Sequence, residues 1–213
     1  MKLADLRNEY MQSGLRRKDL CEDPIRQLQS WLAEAIEAKI CEPNAMSLAT
    51  ADETGKPSVR TLLLKALDMH GAHFFTNKNS RKGLQLAQNP HASIVLPWLE
   101  IERQVILEGS IIELPQNVSE DYAHSRPRGS QISTWASNQS TPIPSRSYLE
   151  ERYEHYRAQY EGKTIPMPEY WGGYCLQPLR VEFWQGRPNR LHDRFLYTRD
   201  SLNSPWKLER LAP

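Results

Sequence analysis

Short runs of alternating apolar and polar residues, separated by turns, dominate the middle of this chain of 213 residues. The first run is Met46 to Thr50, and the turn Asp52 to Pro57 joins it to a second run, Ser58 to Leu67. A period of two places successive side chains on opposite faces of a strand, and short turns join antiparallel neighbours. The pattern therefore predicts an antiparallel meander, which His70-Gly71 continues into a third strand, Ala72 to Thr76.

The remaining elements follow the same logic. Further strands are predicted at Ala92 to Leu96, at Glu102 to Leu114 with a bulge at Gly109, in the region that begins at Trp171, and at Trp206 to Leu211. Helical spacing or capping residues predict helices from Asp23-Pro24 with an apolar stripe Ile25, Leu28, Leu32, Ala35, Ile36 and Ile40, at Arg81 to Gln88, at Gln116 to Ser125, and after Ser145. Seven or eight strands in hairpin order with three or four helices indicate an α+β protein, a closed or split antiparallel barrel with peripheral helices.

Residues 1–23 are charged and carry no good apolar stripe. We expect them to form a mobile N-terminal arm, either frayed or ordering over a ligand, and residues 24–213 to form a single domain. The formal net charge of +1 argues against a globally basic nucleic-acid binder. Three scattered cysteines in no Cys-x-x-Cys pattern fit a reducing compartment. Without a signal-like or membrane-spanning segment, the expected location is the cytoplasm.

The start of the helix at Arg81 carries an unusual charge pattern. Asn79 or Ser80 is a plausible N-cap, yet the cations Arg81 and Lys82 occupy the first turn, where the helix dipole is already positive. An anion bound by the free amides and both cations would explain this arrangement, and phosphate is the obvious candidate. Two solvated basic side chains remain the alternative.

Other clusters combine Arg or Lys with Ser, Thr or Tyr. Arg126 and Ser130 follow Tyr122, and either a second anion site or a polar loop accounts for them. Near the C-terminus, residues 181–197 predict a hairpin. If its outgoing strand is extended from residue 190, then Arg190, His192 and Arg194 share one face. No nucleophile motif, metal-ligand cluster or glycine-rich nucleotide fingerprint is present, so phosphate recognition is the recurrent chemistry. Trp184 and Phe75 could offer apolar surface to a planar ring.

The same clusters match one family along nearly the whole chain and in order. The matching stretches are Arg60 to Lys65, Phe75 to Asn77, Ser80 to Lys82, Glu102 to Val105, His124 to Gln131, Trp171 to Gly173, Glu182 to Gln185, Arg190 to Phe195 and Arg210 to Pro213. On these residues the chain resembles the pyridoxamine 5′-phosphate oxidase family, FMN-dependent enzymes of vitamin B6 metabolism. The resemblance implies an FMN-binding split barrel, including a C-terminal dimerisation and active-site region, that acts as a homodimer with FMN at the subunit interface.

The resemblance also implies a role for individual residues. The implied FMN-binding residues are Arg60, Thr61, Leu62, Leu63, Leu64, Lys65, Phe75, Thr76, Arg81, Lys82, Gln104, Gln139, Ser140, Trp184 and Arg194. The implied substrate-binding residues are Arg7, Asn8, Glu9, Tyr10, Lys65, Tyr122, Arg126, Ser130, Arg190, Leu191 and His192, of which Arg190 and His192 flank the reacting carbon. Phe75 replaces a tyrosine that many members have. Glu42 stands where some members carry aspartate, and it is left out of the site.

The implied reaction oxidises pyridoxamine 5′-phosphate and pyridoxine 5′-phosphate to pyridoxal 5′-phosphate. Hydride passes from substrate C4′ to flavin N5, and O2 is reduced to H2O2. A non-catalytic split-barrel flavin or haem binder is the alternative. It is disfavoured because the Arg-x-His pattern at residues 190–192 and the Ser-Arg-Pro-Arg cluster at residues 125–128 are both present. An RNA-binding domain is a third reading, and the near-zero net charge counts against it.

Overall fold

The structure, a computed structural model, describes residues 14–213. Its α-helices are α1 (Pro24–Glu37), α2 (Arg81–Gln88), α3 (Gln116–Ser125), α4 (Arg128–Ala136) and α5 (Arg146–Gln159). Its strands are β1 (Ala45–Ala51), β2 (Pro57–Leu63), β3 (Ala66–Asp68), β4 (Gly71–Asn77), β5 (His91–Trp98), β6 (Arg103–Glu113), β7 (Trp171–Gln185), β8 (Asp193–Thr198) and β9 (Lys207–Leu211). Single 3-10 turns lie at Arg17–Asp19, Leu99–Ile101 and Pro188–Arg190.

The nine described strands form one antiparallel sheet in the order β2-β1-β5-β6-β7-β4-β3, with β8 pairing β7 and β9 pairing β8. The sheet curls, because the chain leaving β2 at one edge bonds to β4 near the other: the Lys65 N–H donates to the His73 carbonyl at 2.9 Å. The fold is therefore the expected α+β split antiparallel barrel with peripheral helices. Within residues 14–213, no helix combines the length and apolarity needed to cross a membrane.

Helix α1 begins where the sequence predicted. The Asp23 carboxylate accepts the Ile25 N–H at 2.9 Å, and Pro24 occupies the first helical position. Its buried face centres on Leu28, Trp31 and Ala35. Ile36, which was assigned to the apolar stripe, is 58% exposed and that assignment is wrong. Successive side chains of an α-helix point about 100° apart, so Ile36 cannot point in the same direction as the buried Ala35.

The core lies between α1 and the concave side of the sheet. Trp31 meets Phe183 edge-on at a centroid distance of 5.1 Å, and the Arg103 guanidinium covers the outer face of the Trp31 ring at 4.4 Å. Met46, Leu48 and other strand residues at alternate positions complete this core with no exposed surface. The alternation predicted for β1 therefore produces burial on one face of the strand.

Several boundaries differ from the expectations. The strand expected from Ser58 to Leu67 is two strands, β2 and β3, because the strand conformation is interrupted at Leu64-Lys65. The expected β5 strand does not stop at Pro97 but continues to Trp98, where it pairs only with β6. The predicted irregularity at Gly109 is confirmed as a register shift in the β6–β7 pairing.

The described end of the predicted N-terminal arm is packed against the barrel. Leu15 is 6% exposed, and its N–H donates to the Asp193 carboxylate at 2.9 Å. The Tyr197 hydroxyl donates to the Cys21 carbonyl at 2.6 Å. Residues 14–23 thus lie against β8, while Arg7, Asn8, Glu9 and Tyr10 lie outside the described residues.

Candidate active site

A cluster of three cations lies at the start of α2. Ser80 caps the helix by accepting the Gly83 N–H at 3.4 Å, as the sequence suggested. Lys82 is only 5% exposed. Burial and the charge of Arg60 lower the pKa of Lys82 to about 8, and burial together with the charge of Arg81 lowers the pKa of Arg60. The positive charge of Arg60 is therefore close enough to repel both Lys82 and Arg81.

The partners of this cluster are neutral. The Lys82 ammonium donates to the Thr76 hydroxyl at 3.1 Å, to the Ser80 hydroxyl at 3.3 Å and to the Gln139 amide oxygen at 3.4 Å. Among residues 14–213, no carboxylate lies within 4 Å of any of the three cations. Buried cations are normally paired, so this arrangement is matched to an anion from outside the chain. Together with the amides of the first turn of α2, the residues fit a phosphate.

A cavity of about 520 Å³ lies between β2, β4, α3 and α4. Its lining residues are Leu62, Leu63, Lys65, Phe75, Thr76, Asn77, Tyr122, Arg126, Pro127, Ser130, Ser133, Thr134, Ser137, Gln139 and Trp171. Thr76 and Gln139 belong both to this lining and to the environment of Lys82, so the cation cluster adjoins the cavity. Six predicted cofactor residues and four predicted substrate residues thus line one space, with Lys65 in both groups.

Arg126 forms a second anion-binding corner in the cavity. Its guanidinium donates to the Thr134 hydroxyl at 2.8 Å and lies 4.9 Å from the centre of the Trp171 ring. Burial lowers its pKa, and no carboxylate of the described residues lies within 4 Å of it. Lys65, also without such a partner, lines the same cavity. One positive corner, at Arg126, therefore lies in the cavity, and a second, at Lys82, adjoins it through Thr76 and Gln139.

One wall of the cavity is aromatic. Phe75 and Tyr122 stack with centroids 3.9 Å apart, and Trp171 lies nearly parallel to both rings. The absence of a side chain at Gly173 permits this contact, because a Cβ there would lie 2.6 Å from the Phe75 ring. Such a wall suits a planar heterocycle.

Helix α4 carries the Arg126 corner, and the sequence did not predict it. Residues 126–130 were predicted as either an anion site or a polar loop and not as a helix, but α4 begins at Arg128, after an extended Pro127 whose carbonyl accepts the Ser130 N–H at 2.8 Å. Thr134 lies one turn beyond Ser130 and donates its hydroxyl to the Ser130 carbonyl at 3.0 Å. Had the helix been predicted, the spacing of four residues would have placed Thr134 beside Ser130.

The C-terminal hairpin carries a different group of predicted residues. β7 and β8 form the expected hairpin, but the proposed comb of Arg190, His192 and Arg194 is wrong. Arg190 has a φ of +61° and ends a 3-10 turn, so the segment is not extended there. Arg194 points to Glu182, with two hydrogen bonds of 2.8 and 2.9 Å between guanidinium and carboxylate.

His192 is held in a defined orientation. Its Nδ1 atom accepts the Arg187 N–H at 3.1 Å, and its ring lies 4.7 Å from Trp184. Burial and the charge of Arg190 lower its pKa, which favours a neutral ring at pH 7. With Nδ1 accepting, the neutral ring carries its proton on Nε2. The side chain is thus set up as a hydrogen-bond donor.

The two groups of residues lie at opposite ends of β7. Phe75 pairs with Gly173 at the start of the strand, whereas Gln104 pairs with Trp184 at its end. At about 3.3 Å per residue, the path along β7 is roughly 40 Å. Within one chain, Gln104, Trp184, Arg190, Leu191, His192 and Arg194 are therefore outside the cavity that contains Lys65 and Arg126.

Three other predicted residues differ in setting. Leu64 is 4% exposed and belongs to the core, and its N–H donates to the Asn44 carbonyl at 2.8 Å. Thr61 and Ser140 are exposed, the latter with a φ of +72°. Among residues 14–213, no three His, Cys, Asp or Glu side chains are grouped as metal ligands would be.

Fold and site together define a split-barrel protein with a positively charged cleft, whose lining among residues 14–213 contains no carboxylate. A family model described as pyridoxamine 5′-phosphate oxidase matches residues 32–160, and one described as the pyridoxine 5′-phosphate oxidase C-terminal dimerisation region matches residues 171–213. The chain belongs to the pyridoxine/pyridoxamine 5′-phosphate oxidase family, a family of oxidases.

Relatives with this name match nearly end to end. The protein of Salinibacter ruber is 53% identical over 213 residues, 100% of this chain and 99% of its own length. That of Crocosphaera subtropica is 49% identical over 214 residues, with 100% of both chains covered.

Two solved structures are similar to this chain over most of its length. PhzG from Burkholderia lata 383, in complex with tetrahydrophenazine-1-carboxylic acid, is 34% identical with a TM-score of 0.87 and covers 92% of this chain and 95% of its own. A pyridoxamine 5′-phosphate oxidase-related, FMN-binding protein from Nostoc punctiforme is 18% identical with a TM-score of 0.70, covering 91% and 100%, and this likeness supports the fold alone.

Proposed function

We propose that the protein is an FMN-dependent oxidase that converts pyridoxamine 5′-phosphate and pyridoxine 5′-phosphate to pyridoxal 5′-phosphate, with O2 as electron acceptor and H2O2 as product. The observation that carries this proposal is the pair of positive corners on one cavity, at Lys82 and at Arg126, neither with a carboxylate among its described neighbours. Two corners suit two phosphates, one from a cofactor and one from a substrate.

The corner at α2 would hold the FMN phosphate. Arg60, Arg81 and Lys82 supply charge, and Ser80 and Thr76 supply hydroxyls. Leu62, Leu63, Lys65 and Gln139 are the further lining residues proposed to contact the cofactor. FMN, when bound, supplies the hydride acceptor and the reduced centre that dioxygen reoxidises.

The corner at Arg126 would hold the substrate phosphate. Arg126, Lys65, Ser130 and Tyr122 face the same cavity, and the Arg126 guanidinium is already held by Thr134. An anchored phosphate would restrict where the reacting carbon lies in the cavity, which is a proximity contribution to catalysis. The aromatic wall of Phe75 and Trp171 would exclude water from the side of the substrate ring that it covers.

The residues at the far end of β7 would complete the site from a second copy of the chain. The C-terminal segment that contains them matches the model of a dimerisation region. A two-fold dimer can place Gln104, Trp184 and Arg194 of one protomer at the cavity of its partner, whereas within one chain these residues lie at the other end of β7 and do not line the cavity. We therefore propose a homodimer with FMN at the subunit interface.

Arg190, Leu191 and His192 would then contact the substrate near C4′, where a hydride leaves. Arg190, exposed and cationic, positions the C4′ substituent. The Nε2 proton of His192 donates a hydrogen bond and orients the substrate. The alcohol substrate loses its hydroxyl proton and gives the aldehyde directly. The amine substrate gives an imine, which water converts to the aldehyde and ammonia. Arg7, Asn8, Glu9 and Tyr10 are proposed to contribute to substrate binding.

The experiment is a visible absorption spectrum of the purified protein, followed by anaerobic addition of pyridoxine 5′-phosphate. Oxidised-flavin bands that bleach and then return with air support the oxidase. Flavin that stays oxidised with both B6 phosphates supports a non-catalytic flavin binder or an enzyme with another substrate, as the likeness to PhzG allows. A protein that binds no supplied FMN overturns the assignment of the α2 corner. In the Arg190→Ala variant, turnover should fall far more than FMN affinity.

A further inference from the structure

Arg60 reaches the α2 corner through a frame of neutral acceptors. One terminal nitrogen of its guanidinium donates to the Thr50 hydroxyl at 2.7 Å and to the Leu48 carbonyl at 3.2 Å. The other donates to the Ser58 hydroxyl. Arg60 comes from β2, and these acceptors come from β1 and β2, so the sheet itself holds the guanidinium. Its orientation therefore depends on where the two hydroxyl hydrogens point.

Gln85 determines where the hydroxyl hydrogens of Thr50 and Ser58 point. Its side chain is 5% exposed, and its amide oxygen accepts both hydroxyls, from Thr50 and from Ser58, at 2.6 Å each. A carbonyl oxygen can only accept, so both hydroxyl hydrogens point to Gln85 and the lone pairs are left for Arg60. Gln85 lies one helical turn after Arg81 and Lys82, on the helix whose start forms the anion corner.

We propose that Gln85 is a positioning residue for the cofactor site: it aligns the acceptors of Arg60 without adding negative charge near the bound phosphate. The inference rests on the proposed FMN site and goes beyond it, because Gln85 does not line the cavity and is assigned no contact with FMN. Glutamate has almost the same shape and could accept the same two hydroxyls. Its negative charge would be separated from Arg60 only by the Thr50 and Ser58 hydroxyls. It would therefore attract the guanidinium and repel a phosphate.

The test compares two glutamines of one helix. Gln85→Glu and Gln88→Glu add the same charge to α2, but Gln88 is exposed in the last turn. FMN is titrated into the flavin-free, full-length protein, and the dissociation constant is read from quenching of flavin fluorescence. We expect Gln85→Glu to raise the dissociation constant about tenfold, while Gln88→Glu stays within about twofold of the wild type because solvent screens it.

A second pair tests the hydroxyl frame. Thr50→Val removes an acceptor of Arg60 at nearly constant volume and should weaken FMN binding about three- to tenfold, whereas Thr50→Ser should restore it. The thermal midpoint of each flavin-free variant separates positioning from folding. Weaker FMN binding with an unchanged midpoint supports the inference.

Two results would overturn it. One is a wild-type dissociation constant in Gln85→Glu and Thr50→Val. The other is a loss of affinity that only follows a fall in the flavin-free midpoint. If the wild type itself binds no FMN, the proposed function fails and this inference fails with it. If the wild type binds FMN and Gln85→Glu binds it equally well, only the positioning role of Gln85 is removed.

Discussion

Replacing Lys82 with methionine should stabilise the flavin-free protein while weakening its affinity for FMN. Lys82 is 5% exposed, and its pKa is lowered to about 8 by burial and by Arg60. The charged form is therefore held in the fold at a cost, and methionine of similar length removes that cost. The side chain would be present for its ligand rather than for stability.

The magnitude follows from the pKa. A fall from 10.5 to about 8 corresponds to at most about 3 kcal/mol of destabilisation at pH 7. Methionine also loses the donors to Thr76, Ser80 and Gln139, which offsets roughly 1 to 2 kcal/mol because the two hydroxyls can reorient. We expect a net gain of about 1 to 2 kcal/mol in the free energy of unfolding.

The pH dependence gives the decisive sign. Below about pH 8, Lys82 is protonated in both the folded and the unfolded chain, and the cost is fully present. Between pH 8 and 10.5 the folded chain releases the proton first, so the stability of the wild type rises relative to that of the variant. The advantage of Lys82→Met should therefore shrink and change sign within this interval, because the wild type recovers about 3 kcal/mol and the advantage at pH 7 is only about 1 to 2 kcal/mol.

Urea unfolding of both flavin-free proteins at pH 7, 8.5 and 10, at equal protein concentration, measures this difference. The FMN dissociation constant of the variant should meanwhile rise by about ten- to a hundredfold, since a charge-assisted hydrogen bond is lost. A variant that is less stable than the wild type at pH 7, or a stability difference that does not change with pH, would refute the reasoning.

Three further outcomes are expected. Thr134→Val should raise the KM for pyridoxine 5′-phosphate several-fold with little change in kcat, because it frees Arg126, and Thr134→Ser should restore it; equal steady-state constants for all three proteins would exclude this role. Trp31→Ala should cost about 3 to 5 kcal/mol in the free energy of unfolding, since Trp31 is 2% exposed and packs on Phe183, and a cost below 1 kcal/mol in urea unfolding would contradict that packing. The inactive Lys65→Ala and Arg190→Ala proteins should regain activity when they are unfolded and refolded as a mixture. Heterodimers with one intact site should then give roughly a quarter of wild-type turnover. If each site were built within one chain, no activity would return.

Local signals predicted several elements closely. The Asp23-Pro24 pair gave the first residue of α1, and Ser80 and Asn89-Pro90 gave both ends of α2. In each case a cap or a proline acts on the backbone next to it, so the sequence contains the whole cause. Gly109 correctly marked the register shift, although its cause lies on the neighbouring strand, where a Cβ at Gly109 would lie 2.0 Å from the Gln177 carbonyl oxygen.

The errors came where distant groups decide. Arg190, His192 and Arg194 were expected to share one face of an extended strand, but a 3-10 turn ends at Arg190, and Arg194 pairs with Glu182 on the neighbouring strand. Ile36 was placed on the apolar stripe of α1, yet its side chain is exposed among residues 14–213. The aromatic wall needed Gly173 beside Phe75, two residues almost a hundred positions apart. Periodicity describes one segment at a time and carries no information on which segment lies opposite.

The length of β7 connects these observations to function. This strand runs for fifteen residues from Trp171 to Gln185, with one register shift opposite Gly109, and it separates the cavity from the hairpin whatever the side chains are. The two ends carry complementary chemistry: Arg126 and Lys65 at the start offer charge to a phosphate, while His192 and Trp184 at the end offer a hydrogen-bond donor and an aromatic face. Neither end alone holds every group that the proposed reaction needs. If the proposed function holds, a strand of this length makes the second protomer a requirement for catalysis rather than an addition to stability, and a chain with a well-packed core of its own would be active only as a dimer.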